Sequence, residues 1–272
     1  MSKFGNSEKA AAVARHFDKC VIVLTGSNRG IGLGFVDWLA DLLKRDDCDF
    51  TLVACCRTVS EGLKQLVDDS NGKIVQLELD IAKQDQIDSA IAKIEADFGR
   101  VDILINNAGK ASKNHPIDPV VGISAEELID IFTTNTVGTI NVTNAFLPLL
   151  RKSQKNRQVV TISSKLASIE KCHGYTPGCR SVSNGGVASY RITKAAMNMA
   201  MRCFAAELQD EGFIMLLIHP GWVATDMGSS RGRTAHLSVD QSVEGLLDTM
   251  SKHTSPKDNG MFVTWDGEAM PW

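Results

Sequence analysis

Tyr190 and Lys194 lie four positions apart in "ASYRITKAA" (188–196), and Tyr190 is one of only two tyrosines in the chain. On a helix, side chains at this spacing lie on the same face. A free phenol has a pKa of about 10 and is a poor proton relay at neutral pH, but a neighbouring ammonium favours the phenolate and lowers that pKa. The pair therefore predicts an acid/base catalyst tuned by a lysine. The alternative is one ordinary turn of helix surface.

A second motif that could do chemistry is the glycine-rich stretch "TGSNRGIG" (25–32), which follows the first predicted strand and opens an amphipathic helix. Such glycines allow a tight turn, close approach of the backbone to a pyrophosphate, and close packing of helix on strand. The helix N-terminus offers free N–H groups to phosphates. The glycine spacing differs from G-x-G-x-x-G, and ordinary turns between strand and helix also use glycine. Its position after the first strand favours a nucleotide site.

The end of the second predicted strand indicates which nucleotide. An acidic residue there accepts hydrogen bonds from the ribose 2′-OH of NAD. This strand ends instead in Cys56, Arg57 and Thr58. Arg57 pairs well with a 2′-phosphate, and Arg29 of the glycine-rich stretch can converge on the same anion. We expect NADP(H); the alternative is two solvated surface arginines.

The elements that must position these groups alternate along the chain. Continuous apolar runs, typical of strands buried on both faces of a parallel sheet, occur at residues 20–25, 50–56, 73–79, 101–106, 158–163, 213–219 and 261–265. Segments of helical length lie between them; in residues 86–98 apolar side chains recur every three or four positions. The pattern predicts an α/β fold: a single doubly wound, Rossmann-like parallel sheet of about seven strands with helices on both faces.

One domain, residues 19–272, is expected because no shift in composition marks a boundary. Residues 1–18 are an N-terminal extension, predicted to be loose or peripherally docked. The polar, glycine-rich residues 173–186 predict a long loop, and such loops are usually functional or disordered. Residues 227–241 are predicted to be a mobile cover for a substrate.

Composition excludes several classes of function. The 272 residues are 43% apolar and 22% charged, with a net charge of −3, which gives no reason to expect nucleic acid or a membrane surface as partner. No apolar run is long enough for a membrane anchor, and none near the N-terminus suits a secretory signal. The seven cysteines predict reduced thiols and a cytoplasmic protein. Cys172 and Cys179 invite a metal or disulfide interpretation, but there is no second pair of ligands at suitable spacing, and loop thiols are favoured.

Four ordered motifs carry a resemblance to a known family. They are "TGSNRGIG", "NNAG" (106–109), Tyr190-x-x-x-Lys194 and "HPGWVATDMG" (219–228). From about residue 20 to the C-terminus the chain resembles the short-chain dehydrogenase/reductases, and within them it looks most like the sniffer-type carbonyl reductases and their C-factor-like relatives. The resemblance implies NADPH-dependent reduction of an aldehyde or ketone by a homo-oligomer, a dimer or a tetramer.

The resemblance also implies roles for individual residues. Tyr190 would be the acid/base beside Lys194, Ser164 would hold the substrate carbonyl, and the backbone carbonyl of Asn135 would hold a water linking Lys194 to solvent. Ser163 and Ser168 compete for the serine role. The implied cofactor-binding residues are Gly26, Ser27, Asn28, Arg29, Gly30, Ile31, Gly32, Arg57, Asp80, Ile81, Asn106, Ala108, Gly109, Tyr190, Lys194, Pro220, Gly221, Val223 and Thr225.

The chain departs from the family pattern in one respect. Ser164 precedes Tyr190 by 26 positions, which is longer than the usual spacing. The extra residues fall in the predicted loop, where His173, Tyr175 and Arg180 could line the substrate mouth or simply be loop surface.

Two other functions stay open. One is an NAD(P)-dependent alcohol, hydroxysteroid or pteridine-type oxidoreductase of the same fold. The other is a signalling or binding protein with little turnover, which the presence of all four predicted catalytic residues argues against. No H-E-x-x-H, C-x-x-C or G-x-S-x-G motif points to a metal or serine-nucleophile enzyme.

Overall fold

The computed structural model describes residue 3 and residues 7–112, 119–155, 157–172, 187–229 and 234–272. Strands and helices alternate along the chain as the sequence predicts. The strands are β1 (Val21–Thr25), β2 (Thr51–Cys56), β3 (Ile74–Glu78), β4 (Ile103–Asn106), β5 (Arg157–Ile162), β6 (Phe213–His219) and β7 (Phe262–Thr264). The helices are α1 (Glu8–Phe17), α2 (Gly30–Leu42), α3 (Glu61–Asp68), α4 (Gln84–Phe98), α5 (Ala125–Phe132), α6 (Thr139–Arg151), α7 (Ala188–Glu207) and α8 (Val239–Lys252).

The seven strands form one parallel sheet in the order β3-β2-β1-β4-β5-β6-β7. This confirms the predicted doubly wound sheet, and each predicted strand agrees with an observed one to within two residues at either end. The order reverses between β1 and β4. In sheets of this kind ligands bind in the crevice at the carboxyl ends of the strands at such a reversal.

Helices cover both faces because successive side chains of a strand point to opposite sides. Ile22 and Leu24 of β1 belong to an apolar cluster with α1, α2 and α8. Val21 and Val23 belong to a second cluster with α4 and α6. Burial on both sides explains why the strands are continuous apolar runs.

The described part of the N-terminal extension is a packed helix. Ser7 caps α1, its hydroxyl accepting a hydrogen bond from the backbone N–H of Ala10 at 3.2 Å. Ala10, Val13 and Phe17 are fully buried in the cluster that includes α8. Of the two expectations for the extension, the docked one therefore holds for residues 8–17, because an apolar helix face with a partner gains more from burial than the chain loses in entropy.

Other predictions lie partly or wholly outside the described residues. They include the loop 173–186 with His173, Tyr175, Cys179 and Arg180, and residues 230–233 of the predicted substrate cover. The other six cysteines are free thiols. Among the described helices, none is long and apolar enough to cross a membrane.

Candidate active site

A cavity of about 520 Å³ opens at the carboxyl ends of the strands. Segments that follow β1 to β6 form its wall. The predicted site residues that line it are Gly26, Asn28, Arg29, Gly30, Ile31, Gly32, Arg57, Asp80, Ile81, Ala108, Gly109, Ser164, Tyr190, Lys194, Pro220, Gly221, Val223 and Thr225.

The glycine turn after β1 is tight enough to exclude side chains. Gly26 has a φ of +69°, and a Cβ there would lie 2.8 Å from the Cα of Ala108. A Cβ on Gly32 would collide with the carbonyl oxygen of Gly26. Asn107 holds the turn in place, since its Nδ2 donates to the carbonyls of Thr25 at 2.9 Å and Gly26 at 3.0 Å. The backbone of this turn therefore forms part of the cavity wall with no side chain in front of it.

The N-terminus of α2 faces the same cavity. The helix begins at Gly30, and Arg29 at the N-cap position makes no side-chain capping bond. The first N–H groups of a helix need a partner, and the helix dipole makes an anion a favourable one. The turn and the helix end together fit the pyrophosphate of a dinucleotide.

The two arginines predicted to bind a 2′-phosphate both line the cavity, but each pairs with a different carboxylate. Arg57 Nη1 lies 4.0 Å from Asp80 Oδ2, and Arg29 Nη1 lies 3.2 Å from Asp226 Oδ2. The two arginine side chains are 68% and 63% exposed. Exposed ion pairs contribute little to stability, so either guanidinium can exchange its carboxylate for a phosphate at small cost.

Tyr190 and Lys194 lie together on the first turns of α7. The Lys194 Nζ is 6.0 Å from the centre of the Tyr190 ring and donates a hydrogen bond to the carbonyl of Ile162 at 2.8 Å. Lys194 is buried, whereas Tyr190 is partly exposed. The phenol and the amine thus face one cavity at the end of β5.

Of the three candidate serines, Ser164 lines the cavity and is the one whose side chain acts on the phenol of Tyr190. The Ser163 hydroxyl instead donates to Asn198 Oδ1 at 2.6 Å. The Ser168 hydroxyl donates to the carbonyl of Trp272 at 3.2 Å. The partners of the three hydroxyl groups thus distinguish serines that could not be told apart by their positions in the sequence.

The pKa shifts of the pair are opposite to each other. Loss of contact with water raises the pKa of Tyr190 to about 12, although the hydrogen bond from Ser164 opposes the rise. Burial lowers the pKa of Lys194 to about 8. Burial disfavours the charged form of each group. Burial thus leaves Tyr190 an uncharged phenol that holds a proton at neutral pH. The expected lowering of its pKa depends on the charges of both Lys194 and a bound nicotinamide ring, and it stays a prediction.

Asn135 lies in a π-helical turn, Thr133–Gly138, between α5 and α6. It is fully buried, and its side chain accepts from the backbone N–H of Lys110 at 2.8 Å and donates to Thr193 Oγ1 at 3.0 Å. Its backbone carbonyl accepts from the Thr139 hydroxyl at 2.9 Å. Asn135 does not line the cavity; it joins the loop after β4 to the helix that bears Lys194.

Residues 20–236 match the family model of the short chain dehydrogenases. The chain belongs to this family. The C-signal protein of Myxococcus xanthus is 36% identical over 174 residues, which are 64% of this chain and 94% of that protein. The NADPH-bound carbonyl reductase from chicken fatty liver superposes with a TM-score of 0.81 at 29% identity, over 96% of this chain and 98% of that chain. The carbonyl reductase Sniffer of D. melanogaster has a TM-score of 0.79 at 33% identity, over 93% and 100%.

These similarities confirm the resemblance inferred from the four motifs. The protein is an oxidoreductase of the short chain dehydrogenase family, whose members use nicotinamide cofactors. The glycine turn and the uncapped end of α2 are the parts of this chain that suit such a cofactor.

Two further predicted residues of this short chain dehydrogenase lie behind the cavity wall and not in it. Ser27 is fully buried, and its hydroxyl donates to the carbonyl of Cys55 at 3.1 Å. Asn106 ends β4 with its side chain turned towards α6, where its Nδ2 donates to Thr143 Oγ1 at 3.0 Å. Both residues support the wall by fastening one strand or helix to the next.

Several cavity-lining residues were not predicted. Asn107, Leu166, His219, Trp222 and Met227 all belong to the wall. Each lies in a sequence segment that also contains a predicted site residue, so its closeness to a motif was the one indication in the sequence that it could line the cavity. Which of them faces the cavity depends on the direction of its side chain, which the motif does not state.

Proposed function

We propose that this short chain dehydrogenase reduces an aldehyde or ketone to the alcohol with NADPH. One observation carries the proposal: Ser164, Tyr190 and Lys194 line the same cavity as the glycine turn. A carbonyl oxygen placed between the two hydroxyls would meet two hydrogen-bond donors. The NADPH-bound carbonyl reductase from chicken, similar along nearly the whole chain, supports the same reaction class.

The reaction needs a proton at the carbonyl oxygen. NADPH, when bound, supplies a hydride to the carbonyl carbon, which leaves the oxygen with an extra electron pair. Tyr190 transfers its phenolic proton to that oxygen, and the C=O group becomes CH–OH. The high pKa of Tyr190 keeps the proton in place until the oxygen becomes more basic. Ser164 orients the oxygen by a hydrogen bond.

Lys194 acts on the phenolate that remains. Its ammonium lies 6.0 Å from the Tyr190 ring in a buried position, where an attraction between opposite charges is stronger than in water. It therefore lowers the free energy of the state in which Tyr190 has lost its proton. Within the proposal, Asn135 keeps its predicted role of holding a water through which the proton is replaced.

The proposal of NADPH over NADH rests on the end of β2. No carboxylate follows this strand at the position that would accept bonds from a ribose 2′-OH, and Arg57 stands there instead. Arg29 lines the cavity from the neighbouring turn. Two exposed cations, each with a single carboxylate partner among the described residues, suit a phosphate.

A cytoplasmic location and assembly into a homo-oligomer are also proposed. The six described thiols are free, which suits a reducing compartment. Large apolar side chains are exposed at Val121 (85%), Ile129 (65%) and Met199 (65%), and such surfaces commonly pair with another subunit. Light scattering at micromolar concentration tests the assembly; a monomer would contradict it.

A carbonyl panel with NADPH and with NADH, monitored by loss of reduced-cofactor absorbance, tests the proposed function. We expect turnover with NADPH and a fall in kcat of about 10²–10⁴-fold for Tyr190→Phe, the usual contribution of a general acid. The dissociation constant for NADPH, measured by fluorescence, serves as the control and should stay within about 3-fold. Full activity of Tyr190→Phe would exclude this mechanism.

A second candidate is a signalling or binding role with little turnover. The relative named C-signal, 36% identical, favours it. The same variant separates the two functions: if a biological effect of the protein survives in Tyr190→Phe while reductase activity is lost, binding and not catalysis is responsible for that effect.

A further inference from the structure

His219 forms part of the cavity wall without a role in the mechanism above. It is the last residue of β6 and directly precedes Pro220 and Gly221. Its side chain is almost buried, with 9% of the residue exposed, yet it lines the cavity.

The ring of His219 lacks the hydrogen bonds that a buried histidine normally makes. Its Nδ1 is buried without a hydrogen-bond partner among the described residues. Buried polar atoms are rarely left unpaired in native proteins, because each unpaired atom costs free energy. Because Nδ1 is out of contact with solvent, a molecule in the cavity can pair only with the other ring nitrogen, Nε2, which makes no hydrogen bond to the described residues either.

The imidazole is uncharged at neutral pH. Burial, helped by the positive charges of Lys165 and Lys171 and opposed by Asp266, lowers the pKa of His219 to about 3. A neutral imidazole has one nitrogen that donates a hydrogen bond and one that accepts. It can therefore pair with a hydroxyl group in either direction.

The strand register brings His219 beside the residue that precedes Ser164. Ile162 of β5 is paired with Ile218 of β6, and the backbone N–H of Ser163 donates to the Ile218 carbonyl at 2.8 Å. This pairing places His219 next to Ser163, and Ser163, Ser164 and His219 all line the cavity. A substrate whose carbonyl meets Ser164 thus has the imidazole on the neighbouring strand.

Apolar and aromatic side chains line the same cavity as His219, among them Leu166, Trp222 and Met227. A bound molecule with an apolar or aromatic part can lie on these side chains while a polar group of it pairs with His219. Such a pairing fixes the orientation of the molecule and discriminates among molecules of equal size.

We propose that His219 is a specificity-determining residue, whose imidazole hydrogen-bonds to a second polar group, a hydroxyl, carried by the substrate beside its reacting carbonyl. The inference rests on the proposed carbonyl reduction. It names the substrate class as carbonyl compounds with an apolar or aromatic body and one hydroxyl on the side facing β6. A site built to pair with a hydroxyl binds the analogue that lacks it less well, because the buried group is then left unpaired.

Matched aldehydes test this assignment. The probes are the 2-, 3- and 4-hydroxybenzaldehydes, each compared with the methylbenzaldehyde of the same ring position, which has a similar size and no hydrogen bond. In at least one ring position, the ratio of kcat/KM for hydroxyl over methyl should fall about 3–10-fold in His219→Phe, the loss expected for one hydrogen bond. His219→Gln, which keeps a polar atom near the position of Nε2, should restore part of the ratio.

A second readout does not depend on turnover. Dissociation constants of the same aldehydes are measured by calorimetry with the protein saturated with NADP⁺, a combination that cannot react. The ratio of hydroxyl to methyl should again fall in His219→Phe and be recovered in part in His219→Gln. Thermal unfolding of each variant shows that it is folded.

The outcomes separate the two proposals. A ratio unchanged in both readouts at all three ring positions would overturn the role of His219, as would an effect confined to the KM for NADPH. A changed binding ratio in a protein that turns over none of the aldehydes would support His219 and count against the proposed carbonyl reduction. Turnover of the methyl aldehydes with no change in ratio would support the reduction and reject the assignment of His219.

Discussion

Buried polar side chains at the two ends of the sheet differ in how completely they are hydrogen-bonded. At the amino end, Asp102 is buried just before β4. Its carboxylate accepts hydrogen bonds from the backbone N–H of Val21 at 2.8 Å, the hydroxyl of Ser153 at 2.6 Å and Nε of Arg100 at 3.1 Å. The charge is thus balanced by three donors, one of them cationic.

A second buried group at the amino end is equally well paired. Gln158 of β5 hydrogen-bonds to the ring of His16 in α1 at 3.1 Å. The Nε2 of Gln158 donates to the carbonyls of Met250 at 3.1 Å and His253 at 2.9 Å. One side chain therefore joins α1, the sheet and the end of α8.

The carboxyl end is left incomplete. Of the four buried side-chain atoms without a partner among the described residues, three belong to Thr161, Asn198 and His219 in β5, α7 and β6. Lys194 is buried with a carbonyl oxygen as its short hydrogen-bond acceptor and no carboxylate partner in the described chain. Of these groups, only His219 and Lys194 line the cavity. The comparison indicates that Asp102 and Gln158 at the amino end stabilise the fold, whereas the cavity at the carboxyl end includes buried groups that the described chain pairs incompletely.

The sharpest test of this contrast is Lys194→Met. We expect kcat to fall by at least about 100-fold, because the phenolate of Tyr190 loses its cation. The free energy of unfolding should rise by on the order of 2 kcal/mol at pH 7, because burial lowers the Lys194 pKa from 10.5 to about 8. The unfolded chain binds the Lys194 proton more tightly than the folded protein does. The destabilisation caused by burying Lys194 is therefore complete below pH 8 and disappears as the pH rises from 8 to 10.5.

Urea unfolding and steady-state kinetics measure both effects. The control is Lys64→Met on the exposed face of α3, which should change neither. Loss of both activity and stability in Lys194→Met would show that the carboxyl end is built for stability as well.

Asp102→Asn is the corresponding change at the amino end. Asparagine has nearly the same volume as aspartate, but one of its two side-chain oxygens is replaced by an NH2 group. That group would face a hydrogen-bond donor that the carboxylate of Asp102 now accepts from. We expect a loss of about 2–3 kcal/mol in the free energy of unfolding, the cost of a buried mismatch, with kcat of the folded enzyme unchanged.

An exposed carboxylate supplies the control for this prediction. Asp47 is 57% exposed and paired with Arg45, and Asp47→Asn should cost less than about 0.5 kcal/mol. If Asp102→Asn lowers kcat without lowering the free energy of unfolding, the assignment of a stabilising role to the amino end is wrong.

Acid should weaken the amino end through His16. Burial lowers the pKa of His16 to about 4, although its hydrogen bond to Gln158 opposes the change. Between pH 6.5 and 4 the unfolded chain binds the proton and the folded protein does not, so stability falls as pH falls through this range. We expect a contribution of about 2 kcal/mol between pH 7 and pH 5.

Urea midpoints at several pH values in His16→Gln should show a shallower decline than the parent protein. The pKa of His219 is also lowered by burial, so that residue should account for part of the remaining slope. Equal slopes in the parent protein and His16→Gln would contradict the assignment.

The smallest expected effect concerns the exposed rim of the carboxyl end. Arg57→Met should reduce the preference for NADPH over NADH in kcat/KM by about 10-fold, because one charge-assisted bond to a 2′-phosphate is lost. Arg151→Met, an exposed arginine paired with Glu211, is the matched control. A parent enzyme that prefers NADH would reject the NADP assignment altogether.

Much of the fold follows from local patterns. The strands were predicted to within two residues because burial on both faces leaves continuous apolar runs. The α1 helix was less predictable: its apolar residues were visible, but the partner that covers them, α8, lies more than 200 positions away. Residues 173–186 lie outside the described residues, so their predicted loop stays a prediction.

The site was predicted less evenly. Tyr190 and Lys194 belong to one helix, so their spacing alone brings them together. Asn106 was assigned to the cavity although its direction at the end of β4 turns it to Thr143. The rise in the pKa of Tyr190 caused by burial was not predicted, because the loss of water around a side chain is a property of all its neighbours.

The amino-acid sequence by itself determined the alternation of strands and helices, the glycine turn and the phenol–amine pair, because each depends on residues close together in the chain. Tertiary structure decided which serine meets Tyr190, which polar atoms at the carboxyl end stay unpaired, and where His219 faces. These properties arise from segments distant in sequence that share one buried space, where desolvation and hydrogen-bond geometry set the energies.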